Sequence, residues 1–489
     1  MSFRNWKQEL EDVRPPPPSP WPLVLRFSLA LVVLIGATCA ALWGWPGYLR
    51  PKPWVRPGPP PKAIVLIFSS DLRGYIEPCG CTAQRWGGVA RLGGAVSKMT
   101  QPATRILLDV GDMTSGPRRW QQVGLEHYLA ALGQMKYMAA NLGAAEAAMS
   151  AADIRAMAAR SPVPLVSANV VDARTGEPLA APFRQVLIDN LRVTAVGVTF
   201  PDAGRPPGDG VRIADVDECL GRLLPSLRGQ TDLIVLMAAG DELALRAVAG
   251  AHPELDVVLG GRVAQASREI ETVGSCRLAW HANKGQMVGR MDIAIRPDGR
   301  PDGRPEAATA VVMVLDNDVP EDPAMAELGE RYNAQLASMN RQGGLKELGI
   351  PVTAPPRGNT YVGSESCGAC HPSAYATWAG SRHARAYASL VRRQRDSNPD
   401  CVSCHVVDLG AGDGFVGVTA SPQRINVQCE SCHGRAGDHV AARRGGAGAS
   451  AGRMTRVLSK SCETCHDCIH SPQFSFTPYW EKVQHGLEQ

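Results

Sequence analysis

One short motif occurs four times in the last quarter of the chain, and it constrains the fold more than any other feature. Each copy is a Cys-x-x-Cys-His pentapeptide, and the copies lie at residues 367–371, 401–405, 429–433 and 462–466. Residues 360–489 hold nine of the 14 cysteines and eight of the 11 histidines. A segment this short builds only a small apolar core, so groups bound by its thiols and imidazoles must supply much of its interior.

The spacing within each motif is that of covalent c-type haem attachment. Two thiols one helical turn apart can bond the two vinyl groups of one porphyrin, and the adjacent histidine is placed to coordinate the iron. Zinc ribbons and disulfides need only the cysteine pairs and do not explain a recurring histidine. We therefore predict four covalently attached haem c groups, bound by Cys367, Cys370, Cys401, Cys404, Cys429, Cys432, Cys462 and Cys465 and ligated by His371, His405, His433 and His466.

A six-coordinate haem iron needs a second axial ligand. The segment contains one methionine, Met454, but four further histidines, which are His383, His439, His470 and His485. We therefore predict bis-His ligation, which gives lower reduction potentials than Met/His ligation. A surface position is the alternative for each of these histidines, and it is most open for His470. Cys468 follows motif 4, but Ile469 occupies the ligand position of a second register, so Cys468 is predicted as a spare thiol.

Longer stretches around these motifs carry a family resemblance. They are Tyr361-Val-Gly-Ser-Glu-Ser-Cys-Gly-Ala-Cys-His371, Trp378-Ala-Gly-Ser-Arg-His383-Ala, Val427-Gln-Cys-Glu-Ser-Cys-His-Gly434 and Lys482-Val-Gln-His485-Gly. The segment resembles the tetrahaem cytochrome c-554 family over about 130 residues. The resemblance implies closely stacked haems that carry electrons, with His383, His439 and His485 as distal ligands. Members can leave one haem five-coordinate, and the neighbourhood of His470 departs from the usual pattern.

Near the N-terminus, residues 27–45 form a run of 19 uncharged, mostly apolar residues flanked by tryptophan and tyrosine. This run is long enough to span a bilayer, and it is too long for a signal peptide. We predict a transmembrane helix over residues 23–46, with Cys39 as an ordinary membrane cysteine. Lysine and arginine balance on its two sides, and c-type haem is attached outside the cytoplasmic membrane. The predicted location is the bacterial cytoplasmic membrane, single-pass, with the N-terminus inside and the C-terminal domains periplasmic.

The middle of the chain alternates short apolar runs with alanine-rich helical patterns, which is typical of an α/β domain. The apolar runs lie at residues 63–68, 105–110, 165–170, 193–198, 233–237, 255–259, 291–295 and 310–315. Helical patterns lie at residues 123–141, 241–249 and 323–342. The predicted organisation is a tail at 1–22, the anchor at 23–46, a proline-rich linker at 47–62, the α/β domain at 63–345, a linker at 346–359 and the mainly α, haem-packed domain at 360–489.

Three stretches of the α/β domain end in charged residues that carry a second resemblance. They are Ile67-Phe-Ser-Ser-Asp71-Leu-Arg73-Gly, Leu108-Asp-Val-Gly111-Asp112 and Asp256-Val-Val-Leu-Gly-Gly261-Arg262. They resemble the calcineurin-like metallophosphatases of the 5'-nucleotidase kind, which implies an αββα sandwich over about residues 63–316. In that family, two divalent metals at strand ends clamp a phosphate, and a bridging hydroxide attacks it.

Most metal ligands of that family are replaced in this chain. Arg73 stands for the histidine after the first aspartate, and Arg262 stands for the histidine of the terminal Gly-His. The Gly-Asn-His-Glu motif is Gly143-Ala144-Ala145-Glu146, and the strand that should end in histidine reads Leu236-Met-Ala-Ala-Gly240. Asp71 and Asp112 alone cannot hold two metals, so we predict no metal in this domain. The three remaining histidines are predicted to lie in the core or at the surface: His127, His252 and His281.

Loss of the metals leaves the buried carboxylates of Asp71 and Asp112 without a counter-charge. Because unpaired buried charges are costly and guanidinium groups suit carboxylates, we predict that Arg73 and Arg262 pair with them in place of the metals. The alternative is that both arginines point to solvent. Five cysteines outside the motifs follow the anchor: Cys79, Cys81, Cys219, Cys276 and Cys468. Disulfides are the plain interpretation, and a redox or metal-binding pair at Cys79 and Cys81 is the alternative.

Together these features predict an electron-transfer protein with no catalytic residue, in which the phosphatase-like domain serves as a docking or spacing module. Its partners are predicted to be redox proteins and, through the anchor, the membrane. A net charge of +4, from 51 basic and 47 acidic residues, argues against a dedicated nucleic-acid binder. Two alternatives stay open: a haem enzyme that acts on a small nitrogen or sulfur compound at an open haem, and an active phosphohydrolase.

Overall fold

The structure is a computed structural model that describes residues 54–78, 85–99, 104–281, 284–302, 308–445, 452–467, 470–471 and 473–485. Contacts divide the chain into two compact units, Met1–Val55 and Arg56–Gln489. The description below concerns the second unit, which contains both predicted domains. The predicted domain boundaries stay predictions.

The predicted localisation is wrong by the one test that the structure offers. Within the described ranges between residues 54 and 485, no helix is long and apolar enough to cross a membrane, which conflicts with a single-pass anchor. The segment predicted to form the anchor, residues 23–46 with Cys39, lies outside the described residues. We therefore assign no membrane anchor and no cellular compartment to this chain.

The described residues include fourteen strands. In chain order they are β1 Ala63–Ser69, β2 Arg105–Asp109, β3 Ala139–Asn141, β4 Leu165–Val166, β5 Val170–Asp172, β6 Phe183–Ile188, β7 Leu191–Thr199, β8 Val211–Ile213, β9 Leu233–Ala239, β10 Val257–Gly261, β11 Glu271–Val273, β12 Cys276–Trp280, β13 Met287–Ala294 and β14 Ala308–Val314. One six-stranded sheet has the order β14-β13-β1-β2-β3-β4, the other has the order β11-β12-β10-β9-β7-β6, and β5 pairs with β8. The neighbours β1 and β2 run parallel, as do β9 and β10.

Fifteen α-helices are described alongside the strands. In chain order they are α1 Val89–Lys98, α2 Arg119–Gln134, α3 Ala144–Ala147, α4 Ala151–Arg160, α5 Val216–Arg228, α6 Glu242–Ala251, α7 Pro323–Glu347, α8 Ser364–Gly368, α9 Pro372–Gly380, α10 Ala386–Val391, α11 Pro399–His405, α12 Cys429–His433, α13 Gly437–Arg444, α14 Ser459–Glu463 and α15 Phe476–Trp480. The last eight belong to the motif-bearing region, and all of them are short.

Alternating side chains of the strands build a four-layer α/β/β/α arrangement. On β1, Ile64 and Leu66 pack between the two sheets, whereas Val65 and Ile67 face the layer of α1, α2 and α7. A third core lies between the second sheet and the helices α5 and α6. Buried strands covered on both faces are expected to be continuously apolar, as β1 and β9 are. The predicted αββα fold class is therefore confirmed for this domain.

Some observed elements differ from the predicted ones, because pairing between strands that are distant in sequence determines where those elements begin and end. The predicted helix over 123–141 ends at Gln134, and Ala139–Asn141 becomes β3, because this short alanine run pairs with β2 and β4. The predicted strand over 165–170 divides into β4 and β5, which belong to different sheets. Helix α7 extends the predicted helix over 323–342, with a break at Gly344, where φ is 61°.

The motif-bearing region has little apolar core of its own. Within its described residues, one cluster of buried apolar side chains comprises Tyr387, Leu390, Val402, Val406 and Phe415. Each motif lies on or just after a short helix: α8, α11, α12 and α14 carry the first cysteine of motifs 1 to 4. The eight motif cysteines form no disulfides, and most are only partly buried. Such a region needs bound groups to complete its interior.

Candidate functional site

The structure brings motif histidines and the predicted distal histidines together in pairs. The ring centres of His371 and His439 are 6.2 Å apart, and the two rings are stacked. Those of His433 and His485 are 5.9 Å apart, and those of His466 and His383 are 6.1 Å apart. Each pair joins one motif histidine to one histidine that is distant in sequence. Motifs 1, 3 and 4 thus each have one facing imidazole.

The spacing within these pairs fits a metal ion bound between the two rings. Two metal–nitrogen bonds of about 2 Å each, with about 1 Å from each nitrogen to its ring centre, place two axial imidazoles about 6 Å apart. The three observed separations lie between 5.9 and 6.2 Å. In each motif the first cysteine lies about one helical turn before the motif histidine, and the second cysteine directly precedes it. The residues present therefore fit covalently bound haem.

The hydrogen bonds of the rings leave the other nitrogen free for a metal. A carbonyl or carboxylate oxygen only accepts, so a ring held by one carries its proton on Nδ1 and keeps the Nε2 lone pair. Nδ1 contacts a backbone carbonyl at 2.8–3.1 Å in four rings: His405 with Ala386, His433 with Thr455, His439 with Gly452 and His485 with Val483. In His470 it contacts Asp467 Oδ1 at 2.9 Å, and in His466 it contacts Ser471 Oγ at 2.9 Å.

Burial keeps several of these rings in the neutral form that binds metals. It lowers the pKa of His383, and the nearby His466 and His405 lower it further. Burial also lowers the pKa of His433 and His466. A neutral imidazole with a fixed tautomer is the form that an iron ligand requires.

The four motifs lie next to one another in one series. Cys367 of motif 1 lies beside Cys429 of motif 3, Cys432 of motif 3 lies beside Cys462 and Cys465 of motif 4, and Cys465 lies beside Cys404 of motif 2. Glu430, inside motif 3, accepts hydrogen bonds from the backbone N–H groups of Val362, Gly363 and Ala436 at 2.7–3.0 Å. This buried carboxylate fastens motif 3 to the start of α8.

Motif 2 has a different neighbourhood from the other three. Burial lowers the pKa of His405, and among the charged neighbours that lower it further is His470. His470 is the remaining predicted distal ligand, and its ring lies 6.2 Å from that of Tyr75 in the phosphatase-like domain. Cys468, predicted as a spare thiol, lies outside the described residues. The structure thus places His470 near motif 2 without a ring-to-ring contact to His405.

The second region of interest lies at the carboxyl ends of β1, β2 and β10. Asp71, Arg73, Asp112 and Arg262 follow these strands, and all four have a left-handed backbone, with φ between 50° and 62°. Such conformations cost of order 1–3 kcal/mol each and cluster at functional sites. Gly111, with φ 106°, leaves no room for a Cβ beside the Gly143 backbone. The backbone at these strand ends is thus strained both at the retained aspartates, Asp71 and Asp112, and at the arginines, Arg73 and Arg262.

The predicted replacement of the metals by arginines holds for one residue and fails for the other. Arg73 Nε lies 2.5 Å from Asp71 Oδ1, so this pair forms as predicted. Arg262 instead donates to the backbone carbonyls of Phe200 and Pro201 at 3.0 and 3.3 Å. Asp112 is reached by Arg205, whose Nη1 lies 3.8 Å from Oδ1, a residue for which the sequence offered no signal.

Glu146 is a buried acid at the centre of this region, and its contacts were not anticipated from the sequence. Its two oxygens accept hydrogen bonds from the backbone N–H groups of Asp112, Thr114 and Gly143 at 2.8–3.0 Å. Burial, followed by the nearby Asp112 carboxylate, raises the pKa of Glu146 to about 8. The glutamate thus links the ends of β2 and β3 through hydrogen bonds.

The raised pKa predicts a pH dependence of folding. Between 4.5, the ordinary value, and about 8, the folded chain holds a proton on Glu146 that the unfolded chain has released. In this range the unfolded state binds fewer protons than the folded state. The contribution of protonated Glu146 to the free energy of unfolding is therefore fully present below pH 4.5 and is lost as pH rises through about 8. We expect the free energy of unfolding to fall by about 5 kcal/mol across this window. Urea titrations at several pH values should show a flatter dependence in Glu146→Gln, and equal slopes would contradict the prediction.

The other titratable residues of this domain do not form a metal centre. Among the residues whose placement is described, no group of three or more His, Cys, Asp and Glu side chains could hold a metal ion. His281 and His252 are buried, and His127 is partly buried against its own helix. Cys219 and Cys276 are buried free thiols, so the disulfide interpretation is wrong for these two. Cys79 and Cys81 lie outside the described residues.

Comparisons with known proteins agree with both resemblances. The family model described as cytochrome c554 and c-prime matches residues 366–434, which include motifs 1 to 3. Cytochrome c-554 of Nitrosomonas europaea is 31% identical over 98 residues, which are 16% of this chain and 42% of that protein. The match implies covalently bound haem c. Because the chain spans less than half of that relative, the activity of the relative is not carried over.

The phosphatase-like domain has its own relatives. The uncharacterized metallophosphoesterase YunD of Bacillus subtilis is 28% identical over 134 residues, which are 27% of this chain and 29% of that protein. The crystal structure of a 5'-nucleotidase precursor from Thermus thermophilus superposes with a TM-score of 0.50 at 19% identity, covering 62% of this chain and 63% of that one. At this identity, the likeness establishes the fold alone. The chain is therefore a fusion of a c-type cytochrome region, similar to the cytochrome c554 and c-prime family, with a domain of the metallophosphatase fold.

Proposed function

We propose that this chain is a tetrahaem c-type cytochrome that transfers electrons, with a phosphatase-like domain that does not hydrolyse phosphate esters. The observation that carries the proposal is the pairing of three motif histidines with three distant histidines at ring separations of 5.9–6.2 Å. A protein that bound zinc at the cysteine pairs would have no need of a second imidazole opposite each motif histidine.

Each residue has a role in this proposal. The cysteines of the four motifs attach the porphyrins, and His371, His405, His433 and His466 are the proximal ligands. His439 faces His371, His485 faces His433, and His383 faces His466, so these three are the distal ligands. His470 is assigned to motif 2. When bound, haem supplies one-electron chemistry, and the protein sets its ligands and their spacing.

The chain's own residues favour transfer over catalysis at an open metal. The pairs His371–His439, His433–His485 and His466–His383 would each hold one haem between two imidazoles, which would leave no coordination position for a substrate at motifs 1, 3 and 4. Backbone carbonyls fix the tautomers of His433, His439 and His485, so these ligands do not need to reorient. Motif 1 lies beside motif 3, motif 3 beside motif 4, and motif 4 beside motif 2, so the cofactors would follow one another closely, as short electron steps require.

The phosphatase-like domain lacks the residues for metal-assisted hydrolysis. Arg73 forms an ion pair with Asp71, and Glu146 accepts hydrogen bonds from three backbone N–H groups. These acidic side chains are therefore already bound by groups of the protein itself. A dinuclear site needs imidazole and amide donors that this chain replaces by alanine and arginine. These contacts support a structural role for the domain.

The ligand assignment is tested by His383→Ala in the purified, haem-loaded protein. Removal of this imidazole leaves His466 alone, so one haem of four is expected to change from low spin to high spin. Electron paramagnetic resonance of the oxidised protein measures the change. His127→Ala, which removes a histidine of the phosphatase-like domain that hydrogen-bonds within its own helix, is the control and should leave all haems low spin. An unchanged spectrum in His383→Ala would contradict the assignment.

A further inference from the structure

The loop after β1, residues 72–77, contacts the motif-bearing region near motif 2. Glu77 forms an ion pair with Arg395, in which both side chains are at least four-fifths buried. The Oε1 atom of Glu77 also accepts a hydrogen bond from Asn333 Nδ2 on α7 at 3.0 Å. Asn333 Oδ1 in turn accepts from Asn398 Nδ2 at 3.4 Å. Loop 72–77 is thereby tied to the segment that leads into motif 2.

This segment determines where the helix of motif 2 begins. The side chain of Asn398 is the N-cap of α11 and accepts from the backbone N–H of Asp400 at 3.1 Å. Helix α11 carries Cys401, Cys404 and His405. Because a cap fixes the first turn of a helix, the Glu77 network sets the position of the proximal ligand side of motif 2.

The same loop contacts the other candidate ligand of motif 2. The Tyr75 ring lies 6.2 Å from the His470 ring, at an interplanar angle of 49°. Tyr75 is also covered by Lys284, whose Nζ lies 5.6 Å from the ring centre. Asp467 Oδ1 accepts from both the backbone N–H and Nδ1 of His470, at 2.7 and 2.9 Å. Tyr75 and Asp467 thus hold the His470 ring and leave its Nε2 lone pair for a metal.

We propose that loop 72–77 of the phosphatase-like domain is a positioning element for the haem of motif 2, holding His470 on one side and the His405 helix on the other so that both imidazoles bind one iron. The proposal rests on the haem assignment made above and deepens it. Contacts of this one loop, six residues long, reach both ligand-bearing segments of a single motif. The strand-end loop that carries metal ligands in the resembling phosphatases would here serve a metal in the neighbouring domain.

The other three histidine pairs are held within the motif-bearing region. His439 is held by the Gly452 carbonyl, His485 by the Val483 carbonyl, His433 by the Thr455 carbonyl and His466 by the Ser471 hydroxyl. The ring of His470, in contrast, is the distal ring that packs against an aromatic side chain of the phosphatase-like domain. Loss of loop 72–77 contacts should therefore affect one haem and spare three.

The proposal is tested in the full-length, haem-loaded protein by two substitutions with matched controls. Tyr75→Ala removes the ring against His470, and Tyr75→Phe keeps it. Arg395→Ala breaks the ion pair with Glu77, and Arg56→Ala breaks an ion pair with Asp232 at 2.6 Å. Arg56 and Arg395 side chains are equally exposed, at 15%, so the two variants lose comparable ion pairs. Of these two arginines, Arg395 is the one that lies next to motif 2.

Electron paramagnetic resonance and a potentiometric titration of the oxidised protein give the readout. We expect Tyr75→Ala and Arg395→Ala to shift the signal and potential of one haem of four, with a high-spin fraction at that haem, and Tyr75→Phe and Arg56→Ala to match the unaltered protein. His470→Ala should give the full high-spin signal at the same haem.

The outcomes separate this proposal from the proposed function. If the unaltered protein carries four low-spin haems and neither Tyr75→Ala nor Arg395→Ala changes any of them, the positioning role is wrong while the cytochrome assignment stands. If His470→Ala also changes nothing, His470 is not a ligand, which overturns the proposal as well. A protein with fewer than four haems, or without low-spin haem, would instead overturn the proposed function itself.

Discussion

Replacement of Cys432 by serine is expected to remove one haem and to unfold much of the region that carries the motifs. Cys432 supplies one of the two thiols of motif 3, and its motif is fastened to motif 1 through Glu430 and the Cys367–Cys429 contact. The apolar core described for this region is one cluster of five buried side chains, so a lost porphyrin cannot be replaced by packing. We expect a mass lower by one haem and a loss of far-ultraviolet helix signal.

The measurement is intact mass together with haem staining on a denaturing gel. Cys219→Ser is the matched control, because Cys219 is a buried free thiol in the phosphatase-like domain. This control should retain four haems even where it lowers stability. Four haems in Cys432→Ser would contradict this prediction, and fewer than four in the unaltered chain would contradict the predicted number of four haems.

Removal of the Arg73 guanidinium should destabilise the phosphatase-like domain. The haem spectrum should stay intact, because loop 72–77 contacts the motif-bearing region through Tyr75 and Glu77 and not through Arg73. The Asp71 carboxylate is 4% exposed, and Arg73 Nε lies 2.5 Å from it. Burial raises the pKa of Asp71, and Arg73 opposes this rise. Removal of one partner from a buried pair costs about 3–5 kcal/mol, and because the Arg73 side chain is about one third exposed, we expect about 2 kcal/mol for Arg73→Ala.

Arg262→Ala is a close control for this experiment. Both arginines have a left-handed backbone, with φ 50° and 62°, so the backbone strain of alanine is similar in the two variants. Arg262 donates to two backbone carbonyls rather than to Asp71 or Asp112, and we expect its loss to cost about 1 kcal/mol. Urea unfolding followed by tryptophan fluorescence compares them. Equal losses in the two variants would show that the Asp71 pair contributes nothing beyond hydrogen bonding.

The strand-end region around Asp71 and Glu146 is held together by contacts within the protein. Arg73 pairs with Asp71, and Glu146, whose pKa burial raises to about 8, accepts hydrogen bonds from three backbone N–H groups. The strained turns at Asp71 and Asp112 persist because the surrounding sheets hold them. The domain therefore has loops at its strand ends that the sheets hold in fixed conformations, and loop 72–77 is one of these loops.

Features that depend on neighbouring residues were determined by the sequence itself. The Cys-x-x-Cys-His spacing defines each attachment site within five residues, and the apolar runs of β1, β2, β7 and β9 are long enough to identify buried strands. Both resemblances rest on local stretches of this kind, and the comparisons agree with them. Short elements such as β3 were missed, because three residues carry no periodic pattern.

Contacts between distant parts of the chain were decided only by the tertiary structure. The sequence identified His383, His439 and His485 as candidates, but not that they face motifs 4, 1 and 3. It placed Arg73 and Arg262 both at positions where the resembling family has metal-binding histidines, yet Arg73 pairs with Asp71 while Arg262 donates to the Phe200 and Pro201 carbonyls. The physical reason is the same in each case. The partner of a side chain depends on how sheets and helices pack, and the spacing of two residues along the chain does not determine the distance between them in the folded protein.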